Sequence, residues 1–296
     1  LSRDMFGEKP LYYTCNTKQI IFASNLKYIE TILKKKFIFN LKKIEKFLAF
    51  GFKEFGNDNQ TIFKNINCLL PGHTMVIDQK NRRKIKKYAF FKKSSTLKKD
   101  YYKAADTLRS KLNIIFKTRF RADVRLSSLL SGGLDSSSIA AFAQKQKKDI
   151  SYFSLKHYSK NYNEDHLIDE NVKYLNLDHK YVNIPKNNNF NEFKKILSHS
   201  YNIMPQITSL AFALLCKKIK SLGFKVVLTG IGGDELFKGY YHHFLSFLYS
   251  IKNKSYFNNY FKLWEKNQKP YIRSREYKDF EIVKKIAKKN NTIHSF

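Results

Sequence analysis

Ser131-Gly132-Gly133-Leu134-Asp135-Ser136-Ser137 stands between an apolar run over residues 124–130 and an Ala-rich run over residues 136–146. The first run predicts a strand and the second a helix, so the seven residues fall where a strand hands over to a helix. That is where α/β sheets place their ligands. Two consecutive glycines let the backbone turn sharply and approach an anion, presenting several N–H groups as a nest. The helix N-terminus adds partial positive charge and unsatisfied donors, and the hydroxyls of Ser131, Ser136 and Ser137 can donate to phosphate oxygens. A polyphosphate fits such a loop. Asp135 would repel a bare phosphate, so its natural role is to hold a Mg²⁺ ion that bridges to the phosphates. Singly, a Gly-Gly pair is a plain turn and Ser or Asp at a helix start is an N-cap. The seven together, in this context, favour the nucleotide-site reading.

Outward from this loop, strand patterns at 124–130, 151–155, 180–184 and 224–229 alternate with helical patterns at 100–120, 136–146, 165–175 and 209–221. Strands alternating with helices of about 10–15 residues predict an α/β fold with a doubly wound, mostly parallel sheet. The first hundred residues read differently. Short extended pieces at 11–14, 20–23 and 74–78, the last after the Pro71-Gly72 turn signal, mark a β-rich segment with one helix over 41–50. After Tyr240 the chain is aromatic, basic and helical. We therefore expect a β-rich domain over 1–95 and an α/β domain over 96–296.

A second glycine-rich stretch, Leu228-Thr229-Gly230-Ile231-Gly232-Gly233-Asp234-Glu235-Leu236-Phe237-Lys238-Gly239-Tyr240, also follows an apolar strand. It lies at the same carboxyl edge of the expected sheet, where Asp234 can offer a second carboxylate to the metal. No Gly-x-x-x-x-Gly-Lys-[Ser/Thr] run occurs, so a kinase or GTPase mechanism is not indicated.

These two loops resemble the PP-loop and the Gly-x-Gly-x-Asp-Glu loop of the asparagine-synthetase family of ATP-pyrophosphatases. The segment from Arg3 to Tyr13, followed by Phe22-Ala23-Ser24 and Leu70-Pro71-Gly72-His73, is similar to the end of that family's N-terminal glutaminase domain. Asp169-Glu170 and Asp178-His179 fall where the family has similar pairs. The resemblance implies a β-rich glutaminase remnant ahead of a PP-loop domain. It implies ATP and Mg²⁺ as cofactors, with Asp135 and Asp234 at the metal and Asp234 and Glu235 in catalysis. Leu130, Leu155, Thr229 and Gly230 would join residues 131–137 in the adenosine and phosphate site. The reaction implied is adenylation of a carboxylate, aspartate in the first instance, and displacement of AMP by ammonia from glutamine to give asparagine and pyrophosphate. Partners would be the carboxylate and ammonia or glutamine. A homodimer is among the assemblies the resemblance allows.

Three departures qualify this. Asparagine-forming relatives usually carry Glu where Ile231 stands, and an isoleucine cannot accept a proton, so another amide or a lactam is the alternative product, with Glu235 a candidate substitute base. The family's N-terminal cysteine is not in this chain, and Asp4 alone matches a glutamine-contacting position. The chain also stops at Phe296, before the family's later basic residues, so Lys238 has no assigned role. Leu1 opens inside a motif with no initiator Met or leader, which reads as a fragment.

Composition adds exclusions. The 296 residues are 43% hydrophobic and 27% charged, with no apolar run near the ~18 residues of a membrane span, so a globular cytoplasmic protein is expected. The net charge of +32 points to polyanions, but the lysines recur throughout (Lys34–Lys36, Lys86–Lys87, Lys147–Lys148, Lys288–Lys289), and a tRNA-modifying role ranks below amide formation. Cys15, Cys68 and Cys216 are odd in number and far apart, which excludes a disulfide framework and a zinc site. An inactive fragment is the remaining reading.

Overall fold

A computed structural model describes residues 1–16, 19–50, 58–90, 100–156, 164–183, 189–201, 203, 208–272, 278, 279 and 281. Ile184, Lys288 and Lys289 lie outside the described residues. Two compact units appear, Leu1–Leu112 with Val182–Leu222 and Asn113–Tyr181 with Gly223–Phe296.

In the first unit, β1 (Tyr12–Cys15) is flanked by β2 (Ile20–Ala23) and β3 (Asn67–Cys68) in an antiparallel sheet. α1 (Leu26–Leu33) starts at Asn25, whose side chain accepts from the Lys27 N–H, and it buries Leu26 and Ile29 against Ile21, Phe63 and Ile66. α2 (Leu41–Phe50) matches the expected helix. β4 (His73–Ile77) pairs with β5 (Arg83–Lys87), a strand the sequence hides because all five of its residues are exposed. The turn sets this register. Asp78 accepts from the Lys80 and Arg82 N–H groups, and Asn81 takes the left-handed conformation. α6 (Asn189–Ser200) and α7 (Thr208–Ser221) also belong to this unit.

Lys43 is 5% exposed and pairs with Asp58 at 2.8 Å. Burial opposes the Asp58 charge, but Lys43 and the Gln60 N–H hold its carboxyl below the usual range. A lowered folded-state pKa adds stability that is present above the unfolded value of about 3.9 and disappears as pH falls through the folded one. Asp58→Ala should therefore destabilise the protein by about 3 kcal/mol at pH 7, by orphaning a buried cation. Lys43→Met should cost less than Asp58→Ala, because Asp58 is partly exposed and keeps the Gln60 N–H. Denaturant melts should show the Asp58→Ala deficit shrinking below about pH 4.

The second unit holds the parallel sheet, in the order β8-β7-β6-β9. β6 (Leu126–Leu129) is central, parallel to β7 (Ile150–Leu155) in the register Leu126↔Ile150 and to β9 (Val226–Leu228) in the register Leu126↔Val226. The chain passes from β6 outward to β7 and β8 (His179–Val182) and then returns to β9 on the other side of β6. The strand order therefore reverses between β6 and β9, which makes a switch point there. Ser127 and Ser128, unusual in a fully buried strand, are satisfied by donating to the Val226 and Leu228 carbonyls.

α3 (Tyr101–Arg119) precedes β6, α4 (Leu134–Lys145) follows it, and α5 (Asp165–Leu175) lies between β7 and β8. Phe120, Leu126, Leu130, Ile139, Ala140, Ala143, Tyr152 and Ile168 form the core. A separate cluster of Leu245, Leu248, Ile251, Trp264 and Ile272 joins α9 (Tyr241–Ser250) to α10 (Phe257–Asn267). Among the described residues no helix is long and apolar enough to cross a membrane.

Candidate functional site

The carboxyl ends of β6 and β9 bring the two glycine-rich loops together. Gly132 has φ +79°, and a Cβ there would stand 2.9 Å from the Leu167 Cβ of α5, so both backbone and space require glycine. Gly133 is the N-cap of α4 and makes no side-chain cap, which leaves the helix's first donors unanswered by any capping side chain. Asp135 sits in the first turn. From the other side, a Cβ on Gly230 would meet the Asp135 Cβ at 2.9 Å, and one on Gly233 would fall 2.2 Å from Asp135 Oδ2. The second loop is thus moulded around the Asp135 side chain.

α8 (Gly233–Phe237) carries Asp234 and Glu235 in its first turn and ends at Lys238 in the left-handed conformation. Asp234 Oδ1 packs beneath Gly239, where an added Cβ would be only 1.9 Å away. Burial raises the Asp135 pKa, and the charges of Asp234 and Glu235 raise it further. Carboxylates gathered in this way fit a cation. Among the described residues no group of three or more His, Cys, Asp or Glu side chains is arranged as a metal cage. Two carboxylates suit Mg²⁺ only if its other ligands are water and phosphate oxygens, its common arrangement with nucleotides.

Several expected site residues behave differently in the fold. Leu130 is 1% exposed and packs in the core, and its N–H and carbonyl are engaged by the Phe153 carbonyl and the Ser154 hydroxyl, so it presents no free group to an adenosine. Ser136 is buried. Its hydroxyl accepts from the Ser131 N–H at 3.1 Å and donates to the Gly133 carbonyl at 3.1 Å, so it shapes the loop instead of offering a donor to phosphate. Ser131 is exposed but its hydroxyl lies 3.0 Å from that of Ser136, while the Ser137 hydroxyl is buried with no protein partner. Leu155 and Thr229 are half-buried at the ends of β7 and β9.

Glu235 is exposed and tied to Tyr240. Tyr240 donates to Glu235 Oε1 at 2.7 Å, which lowers the Glu235 pKa and pushes the Tyr240 pKa up to about 12. A carboxylate held ionised in this way is a weak proton acceptor. Ile231 is 77% exposed on the same loop. In the first unit, Asp4 accepts from the backbone N–H groups of Phe6, Glu8 and Lys9, so its carboxylate organises a turn.

Ser154 and Tyr181 carry no signal in the sequence, whereas His179 and Tyr240 stand in the stretches singled out there without a role of their own. Ser154 is 2% exposed and lies 2.7 Å from His179 Nε2. Burial holds His179 below the usual imidazole range against the pull of Asp169 and Asp178. Tyr181 donates to Asp169 Oδ1 at 2.7 Å and packs edge-on to His179.

The fold and the site define an α/β protein in which two glycine-rich loops and the carboxylates of Asp135 and Asp234 meet at the carboxyl end of a parallel sheet. The chain belongs to the asparagine synthase family, whose model matches residues 107–293, and a glutamine amidotransferase domain model matches residues 1–89. It is 26% identical to the amidase chyE of Penicillium rubens, with 81% of this chain and 37% of the relative covered. It is 27% identical to the glutamine-hydrolysing asparagine synthetase 1 of Bacillus subtilis, covering 81% and 37%, and 29% identical to a putative asparagine synthetase of Methanocaldococcus jannaschii, covering 82% and 47%. The chain thus spans less than half the length of these relatives. An NH3-dependent NAD synthetase of Campylobacter jejuni is similar at TM-score 0.30 and 19% identity, over 48% of this chain and 61% of that one, too slight a likeness to carry weight.

Proposed function

We propose that residues 96–296 belong to an ATP-dependent carbon–nitrogen ligase that adenylates a carboxylate and releases pyrophosphate, with residues 1–95 the end of a glutaminase domain. The observation that carries this is the convergence of Asp135 with the Gly230–Gly233 loop beside the uncapped α4 N-terminus. Ser131–Ser137 backbone donors would cradle the phosphates, and Leu155, Thr229 and Gly230 would border the nucleoside. Asp135 and Asp234 would hold Mg²⁺, which supplies charge neutralisation for the departing pyrophosphate. Glu235, tied to Tyr240, would keep the acidic loop in place. Aspartate with ammonia, giving asparagine, is the leading substrate pair.

Ile231 favours a second reading within the same chemistry. An exposed apolar group in place of a carboxylate can neither accept a proton nor bind ammonia, so a different carboxylate, giving another amide or a lactam, is the alternative. The test is exchange of labelled pyrophosphate into ATP with aspartate and with a panel of other carboxylates. AMP and pyrophosphate are the expected products. ADP formation removes the proposal, and full turnover with aspartate and ammonia removes the second reading.

A further inference from the structure

We propose that His179 is a positioning residue for the nucleotide loop, acting through Ser154. This rests on the reading of Ser131–Ser137 as the phosphate loop. Ser154 has one hydroxyl proton, and it is donated to the Leu130 carbonyl. His179 Nε2, 2.7 Å from the same oxygen, must therefore be the donor to it, which fixes the imidazole with its proton on Nε2.

The Leu130–Ser131 peptide is planar, so holding its carbonyl also aims the Ser131 N–H. That N–H donates to Ser136 Oγ at 3.1 Å, and Ser136 donates onward to the Gly133 carbonyl at 3.1 Å. Every proton points the same way from His179 on β8, through Ser154 on β7, to the glycine that caps α4. Hydrogen bonds in such a chain polarise one another, and buried networks of this kind are costly to leave half satisfied. The first link is the least protected, because His179 is only half-buried whereas Ser154 is 2% exposed. Loss of the His179 donor would free Ser154 to rotate away from Leu130 and loosen the loop entrance, with no ligand-contacting group removed.

The experiment compares His179→Phe, His179→Gln, Ser154→Ala and the double variant His179→Phe/Ser154→Ala. The readouts are KM for ATP in pyrophosphate exchange, thermal stability, and the amide resonances of Ser131, Gly132 and Gly133 without nucleotide. His179→Phe should raise KM roughly tenfold, the scale of orphaning one buried hydrogen-bonding group, with a smaller change in kcat. His179→Gln should recover part of the loss, because its amide can still donate. The double variant should be no worse than Ser154→Ala, and all variants should shift the three loop amides.

Lower thermal stability with unchanged KM and unmoved amides would overturn the proposal. So would multiplying effects in the double variant, or an imidazole that carries its proton on Nδ1 at pH 7. Absence of ATP binding by the parent protein would overturn the ligase reading, and the nucleotide-free amide shifts would still decide the relay. Ser154→Ala read by the same amides decides it if His179→Phe does not fold.

Discussion

Asp135→Asn is expected to lower pyrophosphate exchange severely and at the same time raise the melting temperature. Asp135 is half-buried and faces Asp234 and Glu235 across the junction of the two loops, and burial followed by those two charges raises its pKa. A raised folded-state pKa means that the folded protein binds the proton more tightly than the unfolded chain does. Stability is then lost as pH rises from the unfolded value of about 3.9 through the folded one, and the loss persists at pH 7. Asparagine keeps the shape and removes the charge, so it recovers that stability. The same change deletes half of the proposed cation site and should lower exchange on the order of 10²–10³-fold. Melting curves at several pH values should show the variant's advantage at pH 7 vanishing at acid pH, where the parent carboxyl is protonated. A less stable variant at pH 7, or one that retains exchange, would contradict this account of the site. Stability given up for function is common at charged active sites.

Gly233→Ala should be nearly as damaging to exchange without replacing any charged residue. Gly233 opens α8 and its backbone is not in the left-handed region, so alanine carries no conformational penalty, and helix propensity favours it by up to about 1 kcal/mol. The added Cβ would lie 2.2 Å from Asp135 Oδ2 and 2.4 Å from its Cγ. Something must move, and the carboxylate end of Asp135 is more easily displaced than two helix backbones. We expect a melting temperature within a few degrees of the parent and a loss of exchange on the order of 10²-fold, because a carboxylate displaced by about 1 Å no longer meets the cation geometry. Gly223→Ala is the control. Gly223 has φ +88° and no neighbour within 4 Å of its would-be Cβ, so that substitution should cost stability through backbone strain and leave exchange intact. If Gly233→Ala and Gly223→Ala affected exchange equally, the moulding of the second loop around Asp135 would have no functional meaning.

Much of the fold was legible in the sequence because its signals are local. The helices at 41–50, 101–119, 134–145 and 165–175 lie within a few residues of their expected positions, each marked by apolar periodicity and end signals. The parallel strands were legible as apolar runs between helices. α1, α6 and β5 were not anticipated, and β5 shows why: Arg83-Lys84-Ile85-Lys86-Lys87 has one apolar residue and no buried face, so only its pairing with β4 defines it.

The sequence by itself determined the chemistry on offer: two glycine-rich loops, each after an apolar strand, with Asp135 and Asp234 set in them. Glycines and strand-to-helix handovers are properties of a few consecutive residues, and they survive without knowledge of the rest. Only the tertiary structure decided which groups are free to act. The Leu130 side chain, just past the end of β6, is taken into the core with Ile139, Ala140 and Ile168. The Ser136 hydroxyl was taken up by the loop's own backbone because a buried polar group must find a partner, and Glu235 was met by Tyr240 at the surface. His179 and Ser154 stand 25 residues apart in the chain and come within hydrogen-bond distance across β8 and β7, a proximity that sheet order creates and no local pattern encodes.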